Sequence, residues 1–212
     1  LRLRLLGGVS VDPSSRAEAP SAFAPFRHRA FAVLWTATLV ANIGTWMRDV
    51  GLGWMMAELS PSATMVAAVQ AAAALPVLLL ALPAGALADV LDRRRLLLGT
   101  QLFLLALSVA LTLLALAGLL APWLLLAAAL LGGVGTALSA PAWQAIVPLL
   151  VPRPVLRPAV ALNSMGVNVA RAIGPALGGV VLAAVGAWAV FALDAVSFLA
   201  ILAALLWWGM PV

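Results

Sequence analysis

Six apolar stretches, separated by short polar breaks, run along the chain at roughly 31–57, 63–88, 96–119, 122–150, 159–185 and 188–208. Each has about 20 residues or more, enough to cross a hydrocarbon layer of ~30 Å as a helix. The pattern predicts an all-α polytopic membrane protein with six transmembrane helices. The breaks leave room for little beyond turns. A polar segment rich in Pro, Ser, Ala and Arg precedes the first span, and residues 1–29 are expected to form a flexible cytoplasmic tail ahead of a 30–212 helical bundle. Its opening residues are too short and glycine-interrupted for a signal peptide, and the first residue is not Met.

Composition agrees with the span pattern. Of 212 residues, 65% are hydrophobic and 9% charged, too few charges to cover a water-soluble core. All basic residues are arginines, and they sit in clusters between spans, whereas a nucleic-acid binder carries a continuous basic face. Arg2, Arg4, Arg16, Arg27 and Arg29 precede span one; Arg93, Arg94 and Arg95 follow span two; Arg153 and Arg157 follow span four. The alternate loops, near Pro61, Ala121 and Gly186, have none, so the positive-inside rule places both termini in the cytoplasm. Trp54, Trp123 and Trp188 at outer span ends and Trp35, Trp207 and Trp208 at inner ends are expected to form an aromatic belt. The cysteine count is zero, and the one histidine, His28, lies outside every span. Disulfides, thiolate metal sites and cysteine nucleophiles are excluded, and no cofactor or metal is expected.

The break after span two reads Gly85-Ala-Leu-Ala-Asp89-Val-Leu-Asp92-Arg93-Arg94-Arg95. An aspartate at a helix C-terminus opposes the macrodipole, and Arg93, four residues on, can compensate Asp89 if the turn is tight. Gly85 would let another helix approach closely. This loop resembles the signature loop of the major facilitator superfamily, and its Leu-Asp-Arg-Arg-Arg variant resembles the branch containing siderophore and macrolide exporters. By that resemblance Gly85, Asp89, Arg93 and Arg94 form a latch between two transporter halves. Val90 stands where the family often has arginine, and Asp92 where it has glycine.

Span five carries Gly174-Pro175-Ala-Leu-Gly178-Gly179. Gly174 and Gly178 make a small-residue face for close helix contact, and Pro175 removes a backbone hydrogen bond and permits a bend. The run resembles the antiporter motif of exporters in the same superfamily, with Ala161 and Ala170 where glycines are usual. Span four, with Gly132, Gly133, Gly135, Pro141 and Pro148, should bend and pack closely. It lacks the arginine that the family often places before this glycine cluster and that is associated with proton coupling.

Four ionisable residues fall inside spans: Arg48, Asp49, Arg171 and Asp194. Intramembrane charges default to a functional reading. At ~1.5 Å per residue, Arg48, Asp49 and Asp194 lie about 9 to 14 Å from the outer ends and Arg171 about 21 Å, so an extended Arg171 could meet Asp49 or Asp194. Arg171 and Asp49 are expected to form a polar centre that binds substrate or titrates, with Asn42, Asn163 and Asn168 as neutral partners and Asp194 as a further candidate. A neutral structural ion pair is the alternative, and Arg48 and Asp49 could instead extend to the outer surface near Trp54. Gln70, Gln101 and Gln144 either line a cavity or bond between helices. Phe and Met are too scattered to predict an aromatic cage.

The resemblance implies a secondary transporter of the bacterial inner membrane: a proton-coupled exporter of amphipathic small molecules, drug or siderophore in type, working by alternating access. Such a transporter has twelve helices, and six are present, as a 3+3 repeat. A C-terminal six-helix half or a second copy is therefore an expected partner, and a truncated, non-transporting fragment is the other outcome. A six-span subunit of an ATP-driven transporter is the main alternative; no phosphate-binding loop is present in the chain, but a separate subunit could supply one. An intramembrane protease would need a histidine-activated serine or paired aspartates in suitable motifs, and these are lacking, so the chain is not expected to be an enzyme. Channel signatures are also lacking.

Overall fold

A computed structural model describes residues 21–209, except for the side chain of Asp89. Six helices account for nearly all of it: α1 Arg29–Leu59, α2 Ala63–Val90, α3 Arg93–Leu116, α4 Pro122–Leu150, α5 Leu156–Val185 and α6 Ala187–Trp207. All six are long and apolar enough to cross a membrane. Most run past the apolar stretch by one to three residues at one or both ends, because a helix does not stop where hydropathy does. Local chemistry sets the ends instead. Asp92 caps α3, its Oδ1 accepting from the Arg95 N–H at 2.7 Å, so the helix starts within the arginine cluster. Pro122 opens α4, where its missing N–H is no loss. Gly186, at φ +106°, turns the chain between α5 and α6 in a conformation that a side chain would strain.

The bundle is assembled by exchange between its two three-helix halves. Helix α1 packs chiefly on α5 and α6, and α4 chiefly on α2 and α3, while α3 meets α6 across the bundle. Sequence neighbours α2 and α3 scarcely touch. Exchanging α1 with α4, α2 with α5 and α3 with α6 preserves this pattern, as a 3+3 repeat requires.

Without a hydrophobic drive between helices in lipid, close packing has to come from small residues. A Cβ on Gly133 would collide with the Ala73 carbonyl oxygen of α2. On Gly135 it would lie 2.5 Å from Leu104 Cδ2 of α3, and on Gly51 3.1 Å from the Phe191 ring of α6.

Apolar packing gathers at the two ends. One cluster includes Phe31, Leu34, Ala41, Leu104, Ile146 and Phe198; the other includes Leu52, Met56, Leu111, Leu125 and Phe191. Between them, at Arg48 of α1, Ser108 of α3 and Asp194 of α6, the buried side chains become polar.

Ordered structure starts ahead of residue 30. Ala24–Arg27 form a short 3-10 helix with Pro25 buried, and the Phe26 ring meets Phe31 and Trp35 edge-on at 5.7 and 5.0 Å. Residues 1–20 of the expected tail, with Arg2, Arg4 and Arg16, lie outside the described residues. The tryptophans divide into two groups. Trp54, Trp123, Trp188 and Trp207 are exposed at helix ends. Trp35 instead donates its ring N–H to the Leu162 carbonyl at 2.9 Å, beside Gly166, and Trp208 is buried, so these two pack the bundle rather than face a membrane surface.

Candidate functional site

A cavity of about 410 Å³ opens among the helices, with walls from all six. Its lining is mostly apolar with a few polar groups, as small-molecule sites usually are. Asn42 and Asp49 of α1 and Asn163 and Arg171 of α5 all reach it, as do Gln101 and Gln144. Asn168 does not: it is exposed elsewhere on α5 and donates to the Ser164 carbonyl one turn back. Asp194 does not line the cavity either and is completely buried behind it. Two aromatic walls come from Trp46 and Trp143, whose ring N–H donates to Asn163 Oδ1 at 2.8 Å. Both walls are tryptophans, whereas the scatter of Phe and Met along the chain predicts no aromatic cage.

The pairing of charges differs from expectation. Arg171 meets neither aspartate; its guanidinium lies over the Trp46 ring, 5.4 Å from the centroid. The reason is backbone proximity. Gly174, one turn further along α5, lets that helix approach α1 at Trp46, where a Cβ would come within 2.5 Å of Trp46 Cβ. Arg48 makes the ion pairs instead. It is 2% exposed, with Nη2 at 3.1 Å from Asp49 Oδ1 and Nη1 at 3.4 Å from Asp194 Oδ2. It therefore does not extend to the outer surface near Trp54, whose ring N–H donates to Glu58 at 2.6 Å. The guanidinium fills space left by Gly132 of α4, where a Cβ would stand 3.1 Å from Nη2. Asp194 Oδ2 also lies 2.6 Å from Ser108 Oγ of α3. Gly44 makes room on the other side, since a Cβ there would crowd Ser197 and lie 2.9 Å from Asp194 Oδ1. The sequence signal for Arg48 is its place beside Asp49 within an apolar span.

The arginine loop ties helix ends together. Arg94 donates from Nε to the Leu205 carbonyl at 3.0 Å and from Nη2 to the Leu206 carbonyl at 3.2 Å. Both carbonyls belong to the last turn of α6, which lacks helical partners, and the cation also suits that end of the dipole. Arg93 donates from Nη1 to the Ala145 carbonyl of α4 at 3.3 Å. Arg29 stacks over Trp207 with 5.5 Å to the centroid, so these arginines share one end of the bundle. Asp92, a departure from the family pattern, is the cap of α3. The Asp89 side chain is outside the described residues. A Cβ on Gly85 would meet nothing within 4 Å. Replacing Arg94 with alanine is expected to destabilise the bundle by about 1–2 kcal/mol, for two hydrogen bonds to carbonyls left without partners. Denaturant unfolding in detergent measures this, and an unchanged midpoint would refute it.

The antiporter-like run divides by contact. Gly174 and Gly178 face α1, with a Cβ on Gly178 falling 2.9 Å from Met47 Cα. Pro175 is half-buried on the same helix, and a Cβ on Gly179 would meet nothing within 4 Å. The two facing glycines continue a buried stripe formed by Ala159, Leu162, Gly166 and Ala170.

The fold and motifs agree with comparisons to known proteins. Residues 20–212 match the family described as transmembrane secretion effector. The chain is also 31% identical over 165 residues to the staphyloferrin A transporter of Staphylococcus aureus, an alignment covering 77% of this chain and 42% of that protein. It thus spans less than half the length of the curated relative it matches. With six membrane-spanning helices in a 3+3 arrangement, the chain belongs to the transmembrane secretion effector family of major facilitator superfamily transporters.

Proposed function

We propose that the chain forms the N-terminal six-helix half of a proton-coupled exporter of amphipathic small molecules, drug or siderophore in type, which works by alternating access. The observation that carries this reading is the mostly apolar cavity walled by all six helices, into which Asp49 and Arg171 project from α1 and α5. An apolar wall with two tryptophans suits the body of an amphipathic molecule, and the amides and Arg171 suit its polar end. The name of the Staphylococcus aureus relative supports the siderophore type. A facing six-helix half, from the same polypeptide or from a second copy, completes the cavity. The exposed face of α2, where Leu78, Leu82 and Val90 are 78%, 88% and 84% exposed, gives such a half an apolar surface to meet. Asp89, with Gly85, latches the halves, while Arg93 and Arg94 anchor the loop that carries it. The arginine-bearing end faces the cytoplasm, with both termini, in a bacterial inner membrane.

Efflux from cells, assayed with a protonophore and separately with ATP depleted at constant proton gradient, tests the energy source. Efflux should stop with the protonophore and persist without ATP; the reverse result would favour an ATP-driven transporter. Replacing Arg171 with methionine is expected to reduce transport about tenfold, the worth of one ~1.4 kcal/mol contact, without loss of folded protein. Unimpaired transport would remove Arg171 from the site.

A further inference from the structure

We propose that Asp194 is the carboxyl that holds the transported proton, and that Arg48 passes between Asp194 and Asp49 as that proton moves. The inference rests on the proton-exchange reading above and goes beyond it by assigning the proton to an atom.

Three observations point to this. The first is charge. Arg48 faces both Asp49 and Asp194, and among the described residues no other cation lies within 4 Å of either carboxylate, Arg171 being stacked on Trp46. The only polar side chain reaching this group from α3 is the neutral Ser108, and α4 contributes Gly132. Two carboxylates and one guanidinium carry a net −1, and with Arg48 and Asp194 sealed from solvent that charge is costly, which favours one bound proton.

The second is the hydrogen count at Ser108. Its Oγ lies 3.0 Å from the Leu104 carbonyl and 2.6 Å from Asp194 Oδ2. A hydroxyl has one hydrogen to donate. If Ser108 donates to Leu104, the bond to Asp194 requires a hydrogen from the carboxyl. A protonated Asp194 donating to Ser108 satisfies both contacts.

The third is the uneven sharing of Arg48. The guanidinium lies closer to Asp49, at 3.1 Å, than to Asp194, at 3.4 Å, and Asp194 Oδ1 and Arg48 Nε are both buried without a partner. The longer contact thus falls on the carboxyl sealed from solvent, the arrangement that a neutral acid at Asp194 gives. Asp49 has a side chain 32% exposed and opens on the cavity, so it connects the buried carboxyl to water.

The step balances. The proton leaves Asp194 for the Asp49 carboxylate, and Arg48 turns from Asp49 to the newly charged Asp194. The transfer itself leaves the cluster neutral; release of the proton from Asp49, whose side chain is 32% exposed, to cavity water leaves a net −1 that lasts until a proton returns. Return of one proton by the same route resets the cluster.

Infrared difference spectroscopy of the purified transporter in lipid nanodiscs tests the assignment, because a protonated carboxyl has its own stretching band, which shifts in D2O. At neutral pH the wild type should show this band. Asp194→Asn should abolish it, and Ser108→Ala should move its frequency. Asp49→Asn should also abolish it, since Arg48 then pairs with Asp194. Absence of the band in the wild type, or its survival in Asp194→Asn, would overturn the proposal.

Coupling is read in proteoliposomes, as the gain in ethidium accumulation that an imposed pH gradient produces over no gradient. The gain should vanish in Asp194→Asn; a gain equal to that of the wild type there and in Asp49→Asn would overturn the coupling role. A wild type that ignores the gradient would end the proton-exchange reading itself, and the protonation of Asp194 would then be decided by the infrared band alone.

Discussion

Replacing Arg48 with methionine is expected to destabilise the bundle by about 3 kcal/mol, the low end of the cost of breaking a buried ion pair, because Asp49 is partly open to the cavity. Methionine keeps much of the side-chain volume and its flexibility, so packing against Gly132 changes little. What is lost is, among the described residues, the one cation within 4 Å of Asp49 and Asp194. With one proton between them, one carboxylate remains charged without a counter-ion, either Asp49, partly open to the cavity, or Asp194, sealed among Ser108, Ser197 and the apolar clusters. The Asp194→Asn variant provides the contrast. An amide can still bond to Ser108 and accept from Arg48, which keeps Asp49 as counter-ion, so a loss of about 1–2 kcal/mol is expected. Denaturant unfolding of the two variants in detergent distinguishes them. Equal losses would mean that the cluster acts as ordinary packing.

The second large effect lies within one motif and has opposite signs at neighbouring positions. Alanine in place of glycine gains up to ~1 kcal/mol of helix propensity. At Gly179, where a Cβ meets nothing within 4 Å, that gain should be realised. At Gly174 the new Cβ would lie 2.5 Å from Trp46 Cβ and 3.2 Å from the Ile43 carbonyl oxygen, and at Gly178 2.9 Å from Met47 Cα. These are main-chain or near-main-chain atoms that no rotamer change can move, so α5 has to withdraw from α1. Overpacking of this kind costs about 1–3 kcal/mol. Gly174→Ala and Gly178→Ala should therefore be destabilised, and Gly179→Ala neutral or stabilised. Transport should follow the same order, because withdrawal of α5 takes Arg171 away from Trp46. Similar behaviour at all three positions would contradict the division of the motif by contact.

Sequence and structure agree where the physics is local or one-dimensional. Span number follows from the length of the apolar runs, which the membrane thickness sets. The glycine run of span five was legible as a contact face because small residues are the main means of close helix packing in lipid. The arginine loop could be read as important from its charges, but its bonds to Leu205, Leu206 and Ala145 could not, since the acceptors are main-chain carbonyls that any sequence provides. The same applies to Trp35: a tryptophan near a span end satisfies the belt pattern whether it faces lipid or donates to Leu162.

By itself, the sequence determined the six-helix membrane architecture, the family and the four charges within the spans. Only the tertiary structure decided which charge meets which. Neighbouring residues on a helix point about 100° apart, so of two residues lining the same cavity Arg48 is buried against Asp194 while Asp49 stays partly open, and hydropathy carries no information on that rotation. Gly132 and Gly44 make the space in which Arg48 reaches Asp194, and Gly174 brings Arg171 onto Trp46. These are distances between helices far apart in the chain, fixed when the two three-helix halves interlock.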